Sequence, residues 1–118
     1  MNVNINDNSF KVKLCMTENS IKEGMARKRF NEDFNGMLFL MGTNDRQSFW
    51  MFDCIIPLDI IFINGNKITS IFHNCPPCKI KSNCNHYEGF GDKVLEIAGG
   101  SCKSLDITEG NTIEFNFN

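Results

Sequence analysis

FWMFDCIIPLDIIFI, residues 49–63, is the stretch that decides the fold class. It contains the only tryptophan of the chain, Trp50, within a run of aromatic and β-branched residues. Pro57 divides the run, and a single acid, Asp59, interrupts its second half. Aromatic and β-branched residues favour strands, whereas proline cannot donate a hydrogen bond within a central strand. The stretch is therefore predicted to form two buried strands joined at Pro57.

Further strands are predicted on both sides of this stretch. The sequence Asn64-Gly65-Asn66 predicts a hairpin turn that pairs residues 60–63 with residues 67–72. Short apolar or alternating runs predict strands at 10–16, 36–41, 94–98 and 112–117, with loops at 42–47 and 74–91.

Two short helices complete the prediction. Thr17 can cap a helix that runs through about Met25, and Ser101 can cap one turn through Leu105. The predicted fold is mainly β, a compact antiparallel sandwich or barrel with one or two short helices. It occupies a single domain, residues 1–118.

Charge and hydropathy narrow the classes of partner. The net charge of −2 disfavours a nucleic-acid partner, because phosphate binding needs a positively charged surface. No apolar run is long enough to span a membrane, and no secretory signal is present. A cytoplasmic protein is expected, and the abundance of Asn, Ile, Lys and Phe is compatible with an AT-rich bacterium or a virus acting in a host cytoplasm. A protein partner stays open.

Several sequence blocks together resemble one known family. The blocks are Gly24-Met25, Gly36-Met37-Leu38-Phe39, Phe49-Trp50-Met51, Pro57-Leu58-Asp59-Ile60-Ile61-Phe62-Ile63 and Val94-Leu95-Glu96-Ile97, followed by Gly99 and Gly110. In this order and spacing the chain resembles the family called domain of unknown function 192, from about Phe10 to Phe117. The resemblance implies a small, mainly β domain with short helices, and it implies no reaction.

The chain departs from the family pattern at two places. The resemblance calls for an arginine four residues after Gly24, where this chain has Lys28. It also calls for a polar Lys-Asn-Thr segment after the Trp-Met pair, where this chain has Phe52-Asp53-Cys54. If the polar segment lines a site in the family, that site is altered here.

The cysteine-rich loop is the sharpest candidate for a chemical site. Cys75, Cys78, Cys84 and His86 match the ligand types of a closed structural zinc site, with His73 as a substitute fourth ligand. Two alternatives stay open, a disulfide between two of the three cysteines and a redox-active Cys-Pro-Pro-Cys pair. Zinc is therefore the one cofactor that the sequence suggests. The other cysteines, at positions 15, 54 and 102, are interpreted as buried structural thiols.

Four further residues are candidates for ligand binding: Arg27, Trp50, Asp59 and Glu96. Asp59 and Glu96 are acids within apolar strands, and a buried carboxyl group must be paired, protonated or bound to a ligand. A salt bridge to the basic segment 27–29, or hydrogen bonds to backbone amides, is the competing structural interpretation. Trp50 could stack on a ligand, but a core position is more common for a single tryptophan.

Two functions follow from these candidates. The first is a non-enzymatic binding or accessory module in which a metal or a disulfide holds the cysteine loop. The second is a small enzyme that uses the carboxyl groups of Asp59 and Glu96 in a pocket near Trp50. The sequence contains no phosphate-binding loop, dinucleotide-binding fingerprint or Ser-His-Asp motif, so no catalytic residue is assigned.

Overall fold

A computed structural model describes residues 1–117 of the 118-residue chain. The described residues form seven strands, two short α-helices and one turn of 3₁₀ helix at Lys81–Asn83. These are β1 (Asn2–Ile5), β2 (Asn8–Cys15), α1 (Glu18–Glu23), β3 (Gly36–Phe49), β4 (Leu58–Asn64), β5 (Lys67–Cys75), β6 (Tyr87–Ala98), α2 (Ser101–Ser104) and β7 (Ile113–Asn116).

The strands form one curled sheet in the order β5-β4-β6-β3-β2-β1-β7. The two edge strands approach each other where β5 and β7 begin, because Ile113 N donates to Asn66 O at 2.8 Å and Lys67 bridges Thr112. The sheet is thus a curled half-barrel. Of the two predicted architectures it is closer to the barrel, and a two-sheet sandwich is not confirmed. β2 and β3 run parallel, so the sheet is mixed rather than antiparallel throughout.

The central strands bury both of their faces. Ile61, Ile63, Leu95 and Ile97 pack into one hydrophobic cluster, whereas the alternating partners Ile60, Phe62 and Val94 pack into the other. Side chains alternate between the two faces of a strand, so each central strand contributes to both clusters. This double burial explains the continuous apolar run 60–63.

Local signals identify the hairpin and the first helix correctly. Asn64 pairs with Lys67 across the predicted turn. Thr17 caps α1, because the Thr17 hydroxyl accepts from Ser20 N at 3.1 Å and the Ser20 hydroxyl accepts from Thr17 N at 3.1 Å. This reciprocal pair satisfies two backbone amides that have no partner within the helix.

Several predictions about strand boundaries are wrong, including the loop predicted at 74–91, whose ends belong to β5 and β6. Residues 50–57 do not form a strand, and they form an irregular segment that places Met51 and Cys54 in the core while leaving Ile55 exposed. The predicted loop at 42–47 lies instead within β3, which pairs with β6 up to Phe49 after a register shift between Leu40 and Asp45. Pairing with a long partner strand thus outweighs the polar composition of this segment.

No helix within residues 1–117 is both long enough and apolar enough to cross a membrane. The cytoplasmic location and the viral source stay predictions.

Candidate ligand-binding cavity

A cavity of about 350 Å³ lies between α1, β3 and the irregular segment 50–54. Its volume is near the lower end of the range of ligand pockets. Its walls combine aromatic and thioether side chains with one thiol and two carboxyl groups, those of buried Glu96 and exposed Glu23. The lining residues are Ile21, Lys22, Glu23, Gly24, Met25, Phe39, Met41, Ser48, Phe49, Trp50, Phe52, Cys54, His86 and Glu96.

Glu96 supplies the buried carboxyl group of the cavity. It pairs with Met37 on β3 and with Ile60 on β4, so it lies in the middle of the sheet and is only 3% exposed. Within residues 1–117 its carboxyl oxygens have no hydrogen-bond donor or cation as partner. Burial raises the pKa of Glu96 from 4.5 to about 8. The carboxyl group is therefore mostly protonated at neutral pH and can donate a hydrogen bond.

The thiols around Glu96 are poor nucleophiles. Burial, and then the charge of Glu96, raise the pKa of Cys54 to about 12. The same two causes raise the pKa of Cys15. A thiol reacts through its thiolate form, which these environments disfavour. All cysteines outside the loop, including Cys102, are buried, as predicted for structural thiols.

Trp50 and His86 stand at the mouth of the cavity. Their rings stack with centroids 5.7 Å apart, and Trp50 also contacts Phe52, with ring centroids 5.2 Å apart. His86 Nδ1 lies 3.5 Å from the hydroxyl of Ser48. Trp50 is half-buried rather than part of the core, so its ring is available to a molecule that enters the cavity.

The chain after α1 closes one side of the cavity. Lys28 Nζ donates to Gly24 O at 3.1 Å and lies 3.2 Å from the carboxylate of Glu23. These contacts hold the end of α1 against the Phe39 ring, which a Cβ added at Gly24 would approach to 3.4 Å. Lys28 stands at the position where the resemblance calls for arginine. Its two contacts fix the wall of the cavity that the end of α1 forms.

Arg27 does not line the cavity. Its guanidinium lies 2.8 Å from the carboxylate of Asp53 and 3.5 Å from that of Glu23, and these side chains are largely exposed. Its backbone N–H also donates to Asp53 O at 2.8 Å. Arg27 therefore joins the end of α1 to the irregular segment 50–57.

Asp59 is fully buried on the other face of the sheet. Its carboxylate accepts hydrogen bonds from the backbone amides of Asn74 at 2.7 Å, Gly100 at 3.0 Å and Cys102 at 2.8 Å. The contacts of Asp59 thus agree with the structural interpretation, in which backbone amides are the partners of its carboxylate. The structure does not bring Asp59 and Glu96 together, because adjacent register positions on β4 and β6 project to opposite faces.

The cysteine loop does not assemble the predicted zinc ligands. Cys78 and Cys84 form a disulfide with Cα atoms 5.7 Å apart, whereas Cys75 is a free buried thiol and His86 stacks on Trp50. No group of three or more His, Cys, Asp or Glu residues that could hold a metal occurs in the described part of the chain. A loop held by a metal is therefore not supported. A disulfide, one of the two alternatives that the sequence left open, closes the loop instead. The bond between Cys78 and Cys84 leaves neither sulfur as a thiolate ligand.

The disulfide loop is fixed to the cavity wall by backbone hydrogen bonds. Cys78 N donates to Met51 O at 3.1 Å, and Asp53 N donates to Cys78 O at 2.8 Å. Lys81 Nζ lies 5.1 Å from the centre of the Phe52 ring. The loop thus supports the segment that carries Trp50, and it ends at His86 in the cavity mouth.

Fold and cavity together define a small, mainly β protein with one curled sheet and an aromatic pocket against one of its faces. Residues 1–115 match the family DUF192, described as "Uncharacterized ACR", and the chain belongs to this family. The resemblance inferred from the sequence blocks is confirmed. Comparison with curated proteins yields no match.

Two solved structures are similar to this chain over most of its length. A protein of unknown function from Novosphingobium aromaticivorans DSM 12444 is 29% identical, with a TM-score of 0.83, over 97% of this chain and 84% of that one. A protein from Sinorhizobium meliloti 1021, provisionally described as a transcription regulator, is 25% identical, with a TM-score of 0.82, over 91% and 82% of the two chains.

Sequence reasoning named three of the lining residues, Trp50 and Glu96 as ligand-binding candidates and His86 as a metal ligand, but missed most of the wall. Phe52 and Cys54 carried a usable signal, because they stand where the resemblance calls for polar residues. Met41 and Ser48 carried none, because they lie on either side of the polar segment of β3 that was predicted to be a loop.

Proposed function

We propose that this protein is a non-enzymatic module that binds a small molecule in the cavity beside Trp50. The observation that carries the proposal is Glu96, a carboxyl group that is buried, has no partner in the described chain and lines the cavity. Burying a polar group without a hydrogen-bond partner costs free energy, and a polar ligand would offset that cost. Perturbed carboxyl groups in clefts are frequent at functional sites.

The composition of the walls supports a binding role. Ligand pockets are mostly apolar and contain a few polar groups that orient the ligand. Here aromatic and thioether side chains surround the carboxyl group of Glu96, and the Ser48 hydroxyl and the His86 imidazole lie at the mouth. Such a pocket favours a compact organic molecule with at least one polar group.

The same geometry argues against the enzyme hypothesis. The two acids lie on opposite faces of the sheet, and the thiol in the cavity has a raised pKa. The cavity does bring a hydroxyl near an imidazole, but Ser48 and His86 lie at its exposed mouth and their atoms are 3.5 Å apart, longer than the roughly 2.6–3.2 Å typical of an activated nucleophile. A role in DNA regulation, as the description of the Sinorhizobium meliloti protein suggests for that protein, receives no support from the net charge of −2.

A fragment screen tests the proposal. Isotope-labelled protein is titrated with small neutral, anionic and cationic organic molecules while its amide resonances are followed by NMR. Binding in the cavity should shift the resonances of Gly24, Trp50 and Glu96 together. Shifts confined to other surfaces, or no binding from any charge class, would contradict the proposal.

A matched pair of variants provides the control. Ile21 lines the cavity and Ile71 lines a separate surface depression, and both side chains are half-buried. Ile21→Phe adds volume inside the cavity and should weaken fragment binding at least about tenfold by steric exclusion. Ile71→Phe makes the same chemical change elsewhere and should leave the affinity unchanged.

A further inference from the structure

We infer that the ligand class of the cavity is organic ammonium cations, with Glu96 as counterion and the aromatic walls as a cage for the charged group. This inference rests on the proposed function, since it assigns a ligand class to the same cavity. The geometry combines two features that recognise a weakly hydrated cation: several aromatic rings and one buried carboxyl group without a partner.

The aromatic feature consists of four phenyl and indole rings that line the cavity beside the His86 imidazole. Those of Trp50 and Phe52 are half-buried, and those of Phe39 and Phe49 are buried. Phe39 and Phe49 pack edge to face with centroids 4.9 Å apart, and Trp50 tilts against Phe52. The face of an aromatic ring carries partial negative charge and attracts a cation within about 6 Å of its centre. Aromatic cages of this kind recognise quaternary and methylated ammonium groups.

The carboxyl feature is Glu96, which is 3% exposed and lines the same cavity. The cations nearest to the cavity do not neutralise it, because Lys28 is bound to Gly24 O and Glu23, and Lys22 is exposed at the rim. A cationic ligand would supply the missing partner of the ionised carboxylate. An anionic ligand would be repelled by that carboxylate, and the exposed Lys22 is the one lysine or arginine among the lining residues that could offset the repulsion.

Among the groups near Glu96 whose pKa is shifted, Glu96 is the one that titrates near pH 8. Cys15, Cys54 and Cys75 respond to its charge, but their own pKa values are raised. The remaining charged or titratable groups are at the rim or in the adjoining segments, namely Lys22, Glu23, Lys28, Asp53 and His86.

The inference predicts a characteristic pH dependence. Glu96 is mostly protonated at neutral pH, so a cation must displace its proton in order to pair with the carboxylate. The affinity for a permanently charged cation should therefore rise about tenfold per pH unit below pH 8, and level off above that. A neutral ligand that accepts a hydrogen bond from protonated Glu96 would show the opposite trend.

The experiment compares choline with the neutral alcohol in which carbon replaces its nitrogen. The two probes have nearly the same shape, and neither titrates in the relevant range. Binding to the full chain is measured by calorimetry and by the fluorescence of Trp50, the only tryptophan, between about pH 6 and about pH 9. Glu96→Gln is the test variant, and Glu88→Gln, an exposed acid on the same strand, is its matched control.

The expected result is that choline binds more tightly than the alcohol above pH 8, and that its affinity rises with pH up to about 8 and then levels off. Glu96→Gln should abolish the rise and weaken choline binding at least about tenfold above pH 8, whereas Glu88→Gln should change neither. An alcohol affinity that equals or exceeds that of choline at every pH would overturn the ammonium assignment and leave the proposed function standing. Failure of these probes and of every screened fragment would remove both. If Glu96→Gln does not fold, the pH profiles of the two probes on the unmodified chain decide the question.

Discussion

Asp59 and Glu96 are both buried on neighbouring strands, yet their carboxyl groups project from opposite faces of the sheet. Asp59 accepts three backbone hydrogen bonds, whereas Glu96 lines a cavity and has no partner in the described chain. Two acids in similar sequence contexts thus have different roles. Asp59 organises the backbone, and Glu96 is the buried polar group of the candidate site.

The first prediction concerns Glu96 and the pH dependence of stability. The folded state raises the pKa of Glu96 from 4.5 to about 8, so the folded chain holds this proton more tightly than the unfolded chain. The associated stability is complete below pH 4.5 and is lost as the pH rises to about 8. The loss is on the order of 5 kcal/mol, at about 1.4 kcal/mol per pKa unit.

Glu96→Gln tests this prediction because glutamine has nearly the shape of the protonated acid and does not titrate. The free energy of unfolding, measured with denaturant at several pH values, should be similar for both proteins near pH 5 and higher for the variant near pH 9. Parallel pH profiles for the two proteins would show that Glu96 does not titrate with a raised pKa.

The second prediction concerns Asp59. Asp59→Ala removes the acceptor for the amides of Asn74, Gly100 and Cys102 and leaves them without a partner. The free energy of unfolding should fall by at least about 3 kcal/mol, since hydrogen bonds to a charged group are worth about 1.5–3 kcal/mol each. The measurement is denaturant unfolding followed by circular dichroism.

Asp53→Asn is the control for Asp59, because Asp53 has a φ of 64°, a left-handed conformation that asparagine tolerates and alanine does not. Asp53 pairs with Arg27 at 2.8 Å, but both side chains are largely exposed, so the change should cost less than about 1 kcal/mol. Equal losses for the two variants would contradict the assignment of Asp59 as the residue that organises this part of the backbone.

The third prediction concerns the number of free thiols. Cys78 and Cys84 are joined, and Cys15, Cys54, Cys75 and Cys102 are free but buried. Alkylation followed by mass spectrometry should therefore modify four cysteines in denaturant alone and all six after reduction. Little labelling is expected without denaturant. Six modified cysteines before reduction would show that the disulfide is absent from the purified protein.

The fourth prediction concerns the coupling between the disulfide and the cavity mouth. The double variant Cys78→Ser and Cys84→Ser should lower the free energy of unfolding by about 2 kcal/mol, the value expected for a short closed loop. It should also shift the fluorescence of Trp50, because the loop ends at His86, which stacks on that ring.

Reduction of the unmodified protein should reproduce the fluorescence change, and reductant should have no effect on the double variant. A stability loss without any change at Trp50 would mean that the loop and the cavity mouth are independent. Cys102→Ser is a useful comparison, because Cys102 packs in the other hydrophobic cluster and its substitution should leave the Trp50 signal unchanged.

Local sequence determines several parts of this structure by itself. The Asn64-Gly65-Asn66 turn, the Thr17 cap of α1 and the strand 94–98 depend on residues close together in the chain, so their patterns are visible without the fold. The family follows from the same patterns, because its blocks occur in one order along the chain.

Only the tertiary structure decides the cavity and the roles of the acids and cysteines. Residues 50–57 have a strand-like composition, but hydrogen bonds from Arg27 N to Asp53 O and from Asp53 N to Cys78 O hold them in an irregular path. The disulfide likewise selects one pair from three nearby cysteines. The sheet register sends Asp59 towards free amides and Glu96 towards the cavity. These outcomes depend on which distant groups meet, and composition and periodicity along the chain carry no information about such encounters.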